Sequence, residues 1–193
     1  MEFRKFVDEM IKKGDIMEVD AEVDWNLEAA CVSHMMNRLC IEKGAGVVFN
    51  NIKGYGKGKG RVTTGYMLGN YRDYYLGANR ILGFPDDIPY EEFRDEVMRR
   101  IKSPLKPIEV SRSEAACKEN VKVGKEANIL DFPILFHHGP DGGRYIQFHG
   151  FVNKDPDTGW TNIGCYRCMV KGPRRLGMLF TFGQQGPTIF YMK

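Results

Sequence analysis

Asp155-Pro156-Asp157-Thr158-Gly159-Trp160-Thr161-Asn162-Ile163-Gly164-Cys165-Tyr166-Arg167 is the stretch from which the rest of the chain can be read. Proline presets one turn dihedral and glycine accepts the left-handed one, so residues 155–159 predict a hairpin turn. The strands it joins are expected at Tyr145–Asn153 and Trp160–Val170. On the returning strand Asn162, Gly164 and Tyr166 alternate with Ile163, Cys165 and Arg167. A glycine inside a strand marks a bulge or a close backbone approach to a ligand, which would relieve the opposition between Asn162 and Arg167. An asparagine carbonyl suits a divalent cation, and an arginine fork suits a carboxylate or phosphate. By residue type alone the stretch also reads as an ordinary hairpin with a surface arginine.

Working outward, Gly172-Pro173 turns the chain again and Leu176–Phe182 predicts a further strand. Upstream, Val121–Val123 reads as a short strand and Asp131–His138 as an extended segment, because a proline biases its predecessor away from helix. Pro104 and Pro107 mark a change of character. Before them the pattern is helical. Residues 2–13 predict an amphipathic helix ended by Gly14, and residues 26–43 a second, capped by Asp24, with Leu27, Ala30, Cys31, His34, Met35 and Leu39 inward. Asn70–Leu82 predicts a third, with Tyr71, Tyr74 and Tyr75 facing a core, and Tyr90–Ile101 a fourth, with Phe93, Val97 and Ile101 inward. Strands are expected at Ile16–Val23, Val47–Phe49 and Thr63–Leu68. The expected fold class is α+β: an N-terminal α/β domain over 1–103 and an antiparallel β unit over 104–193.

Composition excludes several classes. A net charge of +3 is too small to argue for nucleic acid without a basic face. The run Lys53–Arg61 is interleaved with glycines and reads as a solvated loop tip. No apolar run approaches the roughly 18 residues of a membrane span. Five cysteines and a charged, unsignal-like N-terminus predict reduced thiols and a cytoplasmic address. Cys165-x-x-Cys168 lacks a second pair, and its two cysteines point to opposite strand faces, which disfavours zinc. His137 and His138 are adjacent, so a structural turn is favoured over chelation. His149 lies mid-strand, where it could approach a ligand, and His34 sits on a helix stripe as a core residue.

The hairpin stretch closely resembles the signature of the UbiD-type prenylated-FMN-dependent decarboxylases and carboxylases, Asp-Pro-x-Thr-Gly-Trp-x-Asn-x-Gly-x-Tyr-Arg. These include the 3-octaprenyl-4-hydroxybenzoate carboxy-lyases and phenolic acid decarboxylases. Asp131-Phe132-Pro133-Ile134-Leu135-Phe136-His137-His138-Gly139-Pro140-Asp141-Gly142-Gly143 and Val47-Val48-Phe49-Asn50-Asn51-Ile52-Lys53-Gly54 also match, and the likeness runs over essentially the whole chain.

The resemblance implies that residues 104–193 form the first part of a split β-barrel that binds prenylated FMN, with Mn2+ or another divalent cation and K+ at its phosphate. It implies reversible, non-oxidative decarboxylation of an aryl or acrylic acid. Asn162 takes the metal-binding position. Cys165, Tyr166 and Arg167 take flavin-contacting positions, with Arg167 facing substrate as the catalytic arginine. Leu179, Phe180, Thr181, Gln184 and Gln185 align with a second flavin-contacting strand and turn. The chain departs from the family at Gly183-Gln184-Gln185-Gly186, where a histidine metal ligand is common. The family's second acidic metal ligand, its proton-donating acid and its dimerisation domain lie beyond residue 193. A C-terminal counterpart chain or a homo-oligomer is therefore expected to complete the enzyme. The alternative is a half-barrel that binds flavin or a partner without turnover.

Overall fold

The structure, a computed structural model, describes residues 3–39, 46–58, 60–64 and 76–192. It is a mixed helix and sheet fold in two compact units interleaved along the chain. One comprises Met1–Val19, Ser33–Phe49 and Thr63–Gly124; the other Asp20–Val32, Asn50–Val62 and Lys125–Lys193.

The first unit opens with α1 (Phe3–Lys12), which buries Phe6, Val7 and Met10 at the spacing the sequence predicts. Gly14 ends it with a left-handed φ of 79°. β1 (Ile16–Val19) follows and pairs in parallel with β2 (Gly46–Phe49), Ile16 opposite Gly46 and Val19 opposite Phe49. A parallel pair needs a crossover, and α2 (Glu28–Leu39) lies between the two strands in sequence. Every residue of β2 is buried, and β3 (Val62–Thr64) completes the order β1-β2-β3. Phe6, Val7, Met10, Ile16 and Val48 form the core cluster.

Two further helices, α3 (Leu76–Leu82) and α4 (Tyr90–Ile101), belong to this unit. Arg80 on α3 joins Asp15 and Asp86, the latter at 2.7 Å, with Lys13 3.2 Å from Asp86. Arg80 first, then Lys13, holds the Asp86 carboxyl down at about 2. The bounds of α4 are those expected, but its apolar face is not a core. Phe93 packs edge-on against Phe84 at 5.5 Å, whereas Ile101 is exposed. Tyr71, Tyr74, Tyr75 and Cys40 fall outside the described residues.

Further expectations are corrected on α2 and at residues 121–123. The buried face of α2 carries Ala29 and Ser33, while Cys31, His34 and Met35 are exposed. The helix starts at Glu28 because Leu27 takes a left-handed φ of 68° and donates its N–H to Phe136 O at 3.1 Å. Asp24 acts upstream of it, accepting from Asn26 N at 2.8 Å while Glu28 accepts from Asp24 N at 2.6 Å. The strand expected at Val121–Val123 does not form, and both valines are exposed. An apolar-polar-apolar triplet becomes a strand only when a neighbour accepts and donates its backbone bonds.

In the second unit the expected long strands are broken. Tyr145–Asn153 becomes β4 (Tyr145–Ile146) and β5 (Phe151–Lys154). Trp160–Val170 becomes β6 (Thr161–Gly164) and β7 (Cys168–Gly172), and the next strand, β8 (Arg175–Met178), ends before Leu179. β5 and β6 form the predicted antiparallel hairpin, and β4-β7-β8 form a separate antiparallel sheet. Neither sheet closes into a barrel among the described residues. The turn closes as its residues dictate: Asp155 N donates to Trp160 O at 2.8 Å, Asp157 N to Asp155 Oδ1 at 2.9 Å, and Gly159 takes a φ of 71°. Residues 185–192 form α5 (Gln185–Met192), which packs on β5 and β6. No described helix is long and apolar enough to cross a membrane.

Candidate functional site

Asn162 is buried at 4% exposure on β6, directly opposite Asn153 on β5. Its Nδ2 donates to Asn153 Oδ1 at 2.9 Å, and Asn153 Nδ2 donates in turn to the carbonyl of Gly186 at 3.1 Å. The amide nitrogen of Asn162 is thereby committed to protein, and its oxygen lies on the other side of the same planar group.

Gly164 serves a close approach, though by the protein itself. A Cβ there would lie 2.7 Å from the Tyr166 ring, so only glycine lets the ring fold back over the strand end. A Cβ on Gly186 would collide with the Tyr166 hydroxyl. Between these two glycines Tyr166 is locked. It is 6% exposed, its hydroxyl accepts from Gly186 N at 2.9 Å, and its ring meets Phe151 at 5.6 Å and Phe180 at 5.2 Å.

Arg167 sits in the break between β6 and β7. Its Nη2 donates to Asp141 Oδ2 at 2.6 Å, and the guanidinium lies 3.7 Å above the centre of the Tyr145 ring. Its Nε is buried without a hydrogen-bond partner. The Arg167 guanidinium holds the Asp141 carboxyl below the usual range. Burial, then the charges of His138 and Arg167, push the His137 imidazole down.

The remaining predicted positions divide. The Arg167 carbonyl accepts from Leu179 N at 3.3 Å, bringing the 179–181 segment beside the strand break. Phe180 packs on Tyr166, whereas Leu179 and Thr181 are exposed. Gln184 and Gln185 are exposed at the start of α5, where the Gln184 carbonyl accepts from Thr188 N at 3.0 Å. Cys165 is exposed and Cys168 buried, the opposite facing expected of them. His149 meets Cys168 rather than an open site, with Nε2 to Sγ at 3.3 Å.

Sequence reasoning assigned no role to Asn153, Asp141 or Tyr145. The first was countable: a turn closed by Asp155 and Trp160 sets Lys154 opposite Thr161 and Asn153 opposite Asn162. Asp141 and Tyr145 reach Arg167 from 26 and 22 residues away, and no local period signals such pairs. Among the described residues no group of three or more His, Cys, Asp or Glu could hold a metal ion.

Comparison with known proteins adds the family. The 3-octaprenyl-4-hydroxybenzoate carboxy-lyase N-terminal domain matches residues 7–97, and the Rift-related domain of the same carboxy-lyase matches residues 108–192. The chain is 31% identical over 195 residues to pyrrole-2-carboxylic acid decarboxylase of Pseudomonas aeruginosa, covering 98% of this chain and 36% of that one. It is 29% identical to a phenolic acid decarboxylase of Escherichia coli O157:H7, covering 92% of this chain and 36% of the relative. In structure it is similar to an evolved dimeric form of the UbiD-class enzyme HmfF from Pelotomaculum thermopropionicum in complex with prFMN. The TM-score is 0.79 at 26% identity, over 97% of this chain and 40% of that one. It is also similar to the closed form of vanillic acid decarboxylase from Sedimentibacter hydroxybenzoicus, with TM-score 0.76 at 29% identity, over 91% of this chain and 36% of that one. The chain thus spans little more than a third of the length of the relatives it matches. Two domains of one family, matched in order along nearly all its residues, establish that the chain belongs to the 3-octaprenyl-4-hydroxybenzoate carboxy-lyase (UbiD) family.

Proposed function

We propose that the chain is the N-terminal portion of a carboxy-lyase that acts reversibly on an aromatic or α,β-unsaturated carboxylic acid with prenylated FMN. The observation that carries this reading is Arg167: a half-buried guanidinium with its plane set by Tyr145 and a buried Nε donor left without a partner. A fork held flat with a donor to spare suits a carboxylate. The decarboxylase relatives act on such acids, and prFMN is bound by a structural neighbour.

In this reading residues 1–103 are an N-terminal α/β domain and residues 104–193 the first part of a split barrel. Cys165, Leu179, Thr181, Gln184 and Gln185 offer exposed groups to the cofactor, with Phe180 half-buried beneath them. Tyr166 contributes as the buried support on which Phe180 and the α5 N-terminus rest. Asn162 fits one oxygen ligand of a divalent ion such as Mn2+, since its nitrogen is already committed to Asn153. A neutral oxygen alone does not hold such an ion, so carboxylate ligands must join it, and we place them, with any K+ site, in the part of the relatives' length that this chain does not span. Prenylated FMN, when bound, would supply an electron sink for the bonding pair that carbon dioxide leaves on carbon. Arg167 binds and orients that carboxylate, while the proton donor comes from the counterpart chain or second subunit. The four described cysteines are free thiols, which suits the reducing cytoplasm.

The test is to assemble the chain with a polypeptide matching the rest of the relatives, load it with prenylated FMN and Mn2+, and measure bound flavin, bound metal and carbon dioxide release. Asn162→Ala is expected to lower metal occupancy roughly tenfold or more. Arg167→Ala is expected to abolish turnover of aryl and acrylic acids. Unchanged metal content in the first variant removes Asn162 from the ligand set. Undiminished turnover in the second removes the carboxylate role.

A further inference from the structure

We infer that Asp141 is the resident counter-ion of Arg167, which holds the guanidinium before an acid arrives, cedes it to the ligand's carboxylate, and reclaims it once that carboxylate has left. The inference rests on the reading of Arg167 as the carboxylate-binding residue, and it gives Asp141 a positioning role that acts through Arg167.

The geometry points this way. Nε and Nη2 lie on one edge of the guanidinium, the edge that a carboxylate grips with both oxygens. Asp141 takes only Nη2, through one oxygen at 2.6 Å, and Nε stays buried and unpartnered. The edge is half occupied. Asp141 is itself fixed by a turn, its N–H donating to His138 O at 2.9 Å, and its side chain is 13% exposed. Tyr145 beneath the guanidinium keeps the plane from rotating as one carboxylate replaces another.

Charge explains why a resident acid is useful. In decarboxylation the carbon–carbon bond to the carboxylate breaks and neutral carbon dioxide leaves. The electron pair stays on carbon, and a general acid delivers a proton to it. The ligand's negative charge is consumed, and without Asp141 the partly buried guanidinium would then face no anion, which is costly. Burial, then the charges of His138 and Arg167, push the His137 imidazole down, towards its neutral form. The Asp141–Arg167 pair is net neutral, so an arriving carboxylate meets both attraction from the partly exposed guanidinium and repulsion from Asp141. That arrangement lowers affinity for the acid and eases exchange.

The test uses the full chain labelled with nitrogen-15, following the Arg167 Nε–H signal by NMR while benzoate is added. Asp141→Asn removes the charge and keeps an acceptor, and Asp141→Ser removes the charge with a smaller side chain. Arg167→Lys identifies the signal and removes the site. Wild type is expected to shift with benzoate, and either folded Asp141 variant to saturate at about tenfold lower benzoate. Damage to a merely structural residue would weaken binding or leave it alone. If wild type responds and no Asp141 variant binds more tightly, the counter-ion role is overturned while the carboxylate reading stands. If neither wild type nor the variants respond at Arg167, the carboxylate reading falls and takes the inference with it.

Discussion

Asn162 and Asn153 face each other across the β5–β6 hairpin, and the 2.9 Å bond between their amides continues into a 3.1 Å bond from Asn153 to the carbonyl of Gly186. One amide on β5 thus orients a residue on β6 and anchors the start of α5.

Removing that amide should loosen both neighbours. Asn153→Ala leaves the Asn162 nitrogen and the Gly186 carbonyl without their partner. An unmet buried donor or acceptor costs about 1–3 kcal/mol. Urea unfolding is expected to show a loss of that size, with an unchanged m-value. A loss below about 0.5 kcal/mol would mean that Asn153 does not orient Asn162.

Gly186 should be intolerant of even one methyl group. A Cβ there meets the Tyr166 hydroxyl and ring, so Gly186→Ala is expected to cost about 1–3 kcal/mol through overpacking. Tyr166→Phe removes the hydroxyl that the Cβ meets first. The double variant should therefore be more stable than the sum of the two single losses implies. Strict additivity by chemical denaturation would place the cost of Gly186→Ala elsewhere.

In the first unit, Arg80 should couple stability to acid. The Asp86 carboxyl is held down at about 2, from an ordinary 3.8, by Arg80 first and Lys13 next. A depressed folded value means that this contribution is present above the unfolded pKa and is lost as pH falls from about 4 through 2. Asp86 is 45% exposed at its side chain, so screening limits its share to about 1 kcal/mol or less. Arg80→Ala removes the ties to both Asp15 and Asp86, and about 2–4 kcal/mol is expected to go with it. Thermal melts between pH 2 and 7 should show a shallower acid slope in the variant. An unaltered slope would refute the coupling.

Thiol chemistry should separate the cysteines. Cys168 is 1% exposed and burial raises its pKa, so little thiolate forms near pH 8. Cys31, Cys117 and Cys165 are exposed. Iodoacetamide followed by peptide mass spectrometry is expected to label those three at least about tenfold faster than Cys168 in the native chain. Equal rates would show that the β7 end opens readily.

The sequence by itself determined those features whose cause is local. Gly14 ends α1, charged and apolar residues at helical spacing bound α4, and Pro156 with Gly159 closes the β5–β6 turn, because each depends on dihedral preference or periodicity within a few residues. Motif resemblance carried the family and the candidate residues Asn162 and Arg167. Tertiary structure alone decided that Ala29 and Ser33, not Cys31 and Met35, face inward on α2, that Val121–Val123 forms no strand, and that the strand through Tyr166 breaks. It alone set Asp141 and Tyr145 against Arg167, and Gly186 against Tyr166. The physical reason is that strand pairing, burial and ion pairing are properties of two segments at once. A residue's own sequence neighbourhood states what it can offer, and the fold states what it meets.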